Sequence, residues 1–102
     1  MLPLVLHPLV EVDIQESAAW YARAEPGLEE HFLNEVRERI DALPADALLY
    51  AVRFEDIRRV NLITFKHGIF YFVAENAVVV LAIFHGHRDS EAELQRRREK
   101  YG

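Results

Sequence analysis

Cysteine is absent, so no disulfide braces the chain, and 102 residues must hold together on the modest core that this length permits. That absence fits a reducing cytosol better than a small secreted scaffold. A membrane-length apolar run is missing too. The longest, residues 77–84, falls far short of the roughly 20 residues a membrane helix needs. The opening MLPLVLHPLVEVD has no basic segment and is interrupted by Pro3, Pro8 and Glu11, so it does not read as a signal peptide. Repeats and low-complexity linkers are also lacking. The expectation is one soluble, cytoplasmic domain spanning 1–102.

Net basic charge is likewise absent, the formal total being −5. Residues 1–52 hold three Arg against ten Asp and Glu, a net of −7, whereas residues 53–102 hold nine Lys and Arg against seven acids, a net of +2. Strong nonspecific binding to nucleic acid, which rests on neutralising phosphates, is disfavoured by this balance. Any anion-binding surface belongs to the second half.

What is present is clear patterning, with 51% hydrophobic residues. Pro3–Leu6 reads as a short first strand. Pro8 suits the first position of a helix, with His7 at its cap. Residues 9–24 contain no Gly or Pro, and Leu9, Val12, Ala19 and Trp20 can share one face of a helix there. Glu25-Pro26-Gly27 breaks it. Leu28, Phe32, Val36 and Ile40 then recur every four residues, giving an amphipathic helix that ends at Pro44 and closes a helical hairpin. Residues 45–54 read as an irregular connection. Three runs rich in β-branched and aromatic residues follow, Ile57–Thr64, Ile69–Glu75 and Ala77–His85, separated by tight turns, which predicts an antiparallel meander. The last run, AVVVLAIF, is apolar on both faces and should be central and doubly covered. Ser90 and Glu93 have capping-box spacing, and Arg96, Arg97, Arg98 and Lys100 crowd the far end of a short C-terminal helix. That helix looks too slight to cover the second sheet face, so a partner chain is expected there, with self-association of the isolated protein. The resulting class is α+β, in the order β-α-α-β-β-β-α: a small antiparallel sheet packed on an N-terminal helical hairpin.

The order is shared by other folds, but the local sequence is more telling. The segment IRRVNLITFKHGIFYFVAENAVVVLAIFHGHRDSEAELQRR resembles the closing half of RelE/ParE-type toxins, also called plasmid-stabilisation proteins. The matching elements are Arg58-Arg59, Phe65, Tyr71, Glu75-Asn76, residues 78–83, His85 and Arg88-Asp89. HPLVEVDIQESAAWYA resembles the family's opening strand-to-helix segment, with Trp20-Tyr21 in the place of its frequent aromatic pair, and PGLEEHFLNEVRERIDALP resembles its second helix. Lys66 stands where the family often has Pro. The resemblance implies a toxin of a type II toxin–antitoxin pair, inhibited by an antitoxin whose flexible tail wraps over it. RelE-like members cut messenger RNA on the ribosome, whereas ParE-like members act against DNA gyrase without being nucleases. Homodimer and toxin–antitoxin heterotetramer are both assemblies to consider, and no cofactor is implied.

Cleavage of RNA through a 2′-hydroxyl needs a base, an acid and cations around the phosphate. His85, His87 and Arg88 are the catalytic candidates under that reading, with Arg58, Arg59, Lys66 and Tyr71 as binding candidates. Against it, HGHRD is also an ordinary polar strand exit. A metal site on His85, His87 and Asp89 has the right ligand types but no distinctive spacing. Arg58 and Arg59 point to opposite faces, so at most one lines a given site. Arg96 and Arg97 read either as a solvated helix end or as contacts to an acidic partner or the target. Trp20, Tyr21 and Phe32 read as packing residues. Three readings stay open: a ParE-like inhibitor, favoured by the acidic balance; a RelE-like ribosome-dependent nuclease; and an interaction module without toxicity.

Overall fold

The computed structural model describes residues 1–86 and 90–102. Strand β1 (Leu4–Leu6) leads into helices α1 (Val10–Ala24) and α2 (Leu28–Asp46), then a 3₁₀ turn (Ala47–Leu49). Strands β2 (Val52–Phe54), β3 (Ile57–Asn61), β4 (His67–Val73) and β5 (Val78–His85) follow, and α3 (Glu91–Glu99) closes the chain. The sheet order is β1-β5-β4-β3-β2. β2 through β5 form an antiparallel meander, while β1 adds to β5 in parallel, so the sheet is mixed rather than wholly antiparallel. The element order is the expected one, with a short edge strand β2 drawn from the segment read as irregular.

Helix α1 begins two residues after Pro8, not at it. His7 still serves the helix start: its carbonyl accepts from the Val10 N–H at 2.9 Å and its Nδ1 from the Leu9 N–H at 3.0 Å. Gly27 precedes α2 with φ 89°, a left-handed conformation that glycine adopts without steric cost. Pro44 does not end α2, which runs on to Asp46. A proline so near a helix end removes only one ladder bond, and the 3₁₀ turn carries the chain onward.

The buried face of α1 is not the expected one. Val10, Ile14 and Ala18 point into the core, whereas Leu9, Val12 and Trp20 are 39%, 46% and 59% exposed. Trp20 is therefore a surface residue, while Tyr21 and Phe32 pack as expected. Both faces of α1 carry apolar residues, and the hairpin fold selects the one that follows i, i+4, i+8.

β5 is central and covered on both faces. On the hairpin side lie Ile69, Tyr71, Val78, Val80 and Ile83. On the other side lie Ile57, Phe70, Phe72, Val79, Leu81 and Phe84. A register shift between Phe70 and Tyr71 of β4 leaves Leu81 of β5 as an extra residue, a bulge that resets which residues face the hairpin.

The second face is not open. Leu94 of α3 and the following Tyr101 pack on it, and three guanidinium groups lie over its rings: Arg98 over Phe72 at 3.7 Å, Arg97 over Phe84 at 4.9 Å, Arg59 over Phe70 at 5.2 Å. Long arginine stems and planar guanidinium heads cover aromatic area that the hydropathy of α3 would not suggest. The expected need for a partner chain on this face is thereby corrected.

Candidate functional site

The candidate residues divide between the two sheet faces and the interior. Arg97 is only 6% exposed, although it sits in the Arg96-Arg97-Arg98 run. Its Nη1 donates to Asp13 Oδ2 at 2.7 Å and to the Leu81 carbonyl at 3.0 Å, its Nη2 donates to Asp13 Oδ1 at 3.2 Å, and its Nε donates to Glu93 at 2.9 Å. Asp13 Oδ2 also accepts from the Ile83 N–H at 3.0 Å. β1 pairs with β5 only as far as Val80, so Leu81 and Ile83 present edge groups beyond its end. The Asp13–Arg97 pair satisfies them, tying α1 and α3 together across that edge. These carboxylates hold the guanidinium pKa above its ordinary value despite the opposing effect of burial. Arg97 is thus a structural residue. Arg96 pairs with Glu93 at the surface, and Arg98 pairs with Asp56.

Tyr71 is fully buried, its hydroxyl donating to the Ala47 carbonyl at 2.6 Å, and burial pushes its pKa up to about 12. Arg58, on the same face, donates to the Tyr50 carbonyl at 2.6 Å. Arg59 lies on the opposite face, where its Nε donates to Asn61 Oδ1 at 2.6 Å. Its guanidinium lies across Gly68, where a Cβ would stand 2.3 Å from Arg59 Nε, so a side chain there would displace the flexible end of the arginine. The three residues therefore do not converge.

His85 and Lys66 do come together, at the end of the sheet facing the hairpin. His67 and His85 are cross-strand partners, with ring centroids 5.3 Å apart. His67, which was not among the candidates singled out, is the better anchored of the two. It is 4% exposed, its Nε2 lies 3.2 Å from Ser17 Oγ and its Nδ1 3.4 Å from the Tyr21 hydroxyl. A neutral imidazole donates at one nitrogen and accepts at the other, so both hydroxyls can be matched without charge. Burial, and then His85, push its pKa down to about 4. The only sequence sign of this role was a histidine opening an apolar strand. His87, Arg88 and Asp89 lie outside the described residues.

Around these histidines opens a cleft of about 620 Å³ between α1 and the β3–β4 connection. Tyr21, Phe65 and Leu28 make it largely apolar, and Glu16, Trp20, Thr64 and Lys66 also line it. Tyr21 packs against Phe65 (centroids 4.8 Å apart) and stands at 89° to Trp20. The connection itself is held by Glu35 of α2, whose carboxylate accepts from the Ile63 and Thr64 N–H groups.

A five-stranded mixed sheet with an antiparallel meander, a helical hairpin on one face and a short helix on the other is the α+β arrangement that the resemblance to RelE/ParE-type toxins implies. The family model for the ParE toxin of the type II toxin–antitoxin system parDE matches residues 4–90. The chain belongs to this ParE toxin family. It is the toxin component of a type II pair, with a cognate antitoxin as partner. Among solved structures, the chromosomal ParDE system of P. aeruginosa is similar in fold, with a TM-score of 0.75 at 16% identity, covering 83% of this chain and 96% of that one. No curated protein sequence matches the chain. Among the described residues, no helix is long and apolar enough to cross a membrane.

Proposed function

We propose that the chain arrests growth in the cytoplasm by binding a protein target, DNA gyrase, and not by cleaving RNA. The observation that carries this reading is the disposition of the described basic groups. Arg97 is spent on Asp13, Arg58 on the Tyr50 carbonyl and Arg59 on Asn61 and Phe70, so they do not converge on one phosphate. His67 is neutral near pH 7 and buried, which suits a structural tie better than a proton donor. The formal charge of −5 further disfavours a surface built to approach ribosomal RNA.

The nuclease reading rests on His85, His87 and Arg88, and it makes a distinct demand. His85→Ala combined with His87→Ala would abolish toxicity while the fold survives. The gyrase reading expects that double variant to remain toxic. Inhibition of supercoiling by purified toxin and purified gyrase, in the absence of ribosomes, tests the proposal directly. No inhibition by folded, antitoxin-free toxin would overturn it.

A further inference from the structure

We infer that the two terminal nitrogens of Arg59 form an anion-recognition fork that takes a side-chain carboxylate of the toxin's protein target. The inference rests on the reading that the target is a protein and deepens it by naming one contact and its chemistry. Arg59 leaves β3, crosses Gly68 of β4 and brings its Nη2 to Gly86, just past the end of β5. Three features hold it there. Its Nε donates to Asn61 Oδ1 at 2.6 Å, its guanidinium carbon stands 5.2 Å from the centre of the Phe70 ring, and Gly68 leaves the space it lies in.

Asn61 occupies Nε alone. Among the described residues nothing accepts from Nη1 or Nη2, and no carboxylate pairs with Arg59 or with its neighbour Arg53. The arginines of α3 differ, since Arg97 meets Asp13 and Glu93 while Arg98 meets Asp56. Accordingly the bond to Asp56 holds the Arg98 pKa above its ordinary value, whereas burial and then Arg53 hold that of Arg59 below. Arg59 is thus a positive charge that the fold has half-buried, oriented and left without a counter-charge. Two parallel N–H groups match the two oxygens of a carboxylate or phosphate, and the Phe70 ring keeps water from one side of the bond. Nucleic-acid phosphates are held by several cations acting together, and a chain of net charge −5 repels them at a distance. A single fork backed by Arg53 suits one acidic side chain. It does not assemble the acid, base and cations of RNA cleavage.

Three variants separate the position of the fork from its charge. Arg59→Lys keeps the charge and loses the fork. Gly68→Ala keeps the arginine and pushes its head aside, and Asn61→Ala releases Nε. With purified gyrase, Arg59→Lys and Gly68→Ala should each raise the toxin concentration needed to inhibit supercoiling by about 10-fold, and Asn61→Ala by about 3-fold. Circular dichroism checks that the variants fold, and their affinity for the antitoxin encoded beside the toxin should stay unchanged. Undiminished inhibition by folded Arg59→Lys and Gly68→Ala would overturn the fork. An equal loss of antitoxin affinity would also overturn it, giving Arg59 to the antitoxin. Arg59-dependent binding of a labelled single-stranded RNA would overturn it in favour of phosphate. If the unaltered toxin leaves supercoiling untouched, the gyrase reading fails on its own, and growth arrest on induction in bacteria then decides the fork. Arrest lost in both variants supports it, and arrest retained in both overturns it.

Discussion

At the scale of single residues, Asp13 and Arg97 show how a buried charge pair is stabilised by the backbone around it. Each has a bidentate partner, and each also meets an edge group of β5. Removing Asp13 leaves the buried Arg97 guanidinium with Glu93 as its remaining carboxylate and leaves the Ile83 N–H unmatched, a loss of up to about 3–5 kcal/mol. Asp13→Ala is therefore expected to lower the stability measured by urea unfolding by about that amount, with little change in the slope. His67 gives a pH-dependent counterpart. Its folded pKa, about 4, lies below the ordinary 6.5, so the unfolded chain binds the extra proton between those values. Stability from His67 is fully present above about pH 6.5 and is lost as pH falls toward 4, by up to roughly 3 kcal/mol. His7 shifts in the same direction, through burial and then Arg97, so the comparison must be made between the unaltered protein and His67→Gln. The variant should show a shallower loss of stability between pH 6.5 and 4. Equal slopes would remove His67 from the titration.

Among elements, α3 carries more than its composition suggests. It is a polar helix, with Leu94 and Arg97 as its buried residues, yet it seals a sheet face of Phe70, Phe72, Leu81 and Phe84. Deleting residues 91–102 should expose those side chains and strand Asp13, so the shortened chain is expected to aggregate and to bind a hydrophobic dye. A soluble monomer with native circular dichroism would contradict the sealing role. Sequence hydropathy understates this element because arginine counts as purely polar in any hydropathy scale. The stacking of its stem and plane on aromatics depends on partners 26 residues away for Arg98 and Phe72. The buried face of α1 is hidden from local sequence for a related reason. Asp13 interrupts the buried stripe, and its partner Arg97 lies 84 residues on. Local periodicity sees only the interruption. By contrast, the regular i, i+4 repeat of α2 and the double-faced apolar run of β5 were legible, because their burial depends on neighbours in sequence. The bulge at Leu81 left no local mark in the run VVVLAIF. It nevertheless decides that His85 stands beside His67.

For the whole molecule, the family and the fold were legible from an ordered set of modest local features, while the site was only partly so. Lys66 and His85 meet in one cleft, but Tyr71 and Arg97 are interior, and Arg58 and Arg59 are separated by the sheet. Binding candidates chosen by residue type alone include charges that the fold consumes internally. The halves of the chain differ in charge by nine units, −7 against +2, and Glu11, Glu16, Glu30, Glu38 and Asp41 leave an exposed acidic surface on α1 and α2. Association with the antitoxin should consequently slow as ionic strength rises, if the antitoxin meets the acidic hairpin with basic residues. Stopped-flow rates read through Trp20 between low and high salt provide the check, and a salt-independent rate would argue against electrostatic steering.

The central claim concerns how growth stops. Induction of the toxin in bacteria without its antitoxin, followed by separate pulse labelling of DNA and protein synthesis, tests it most directly. A gyrase-directed toxin should cause an early halt in DNA synthesis with SOS induction, while messages stay intact. Early loss of protein synthesis with cleaved messenger RNA would contradict it and return His85, His87 and Arg88 to the centre of the mechanism.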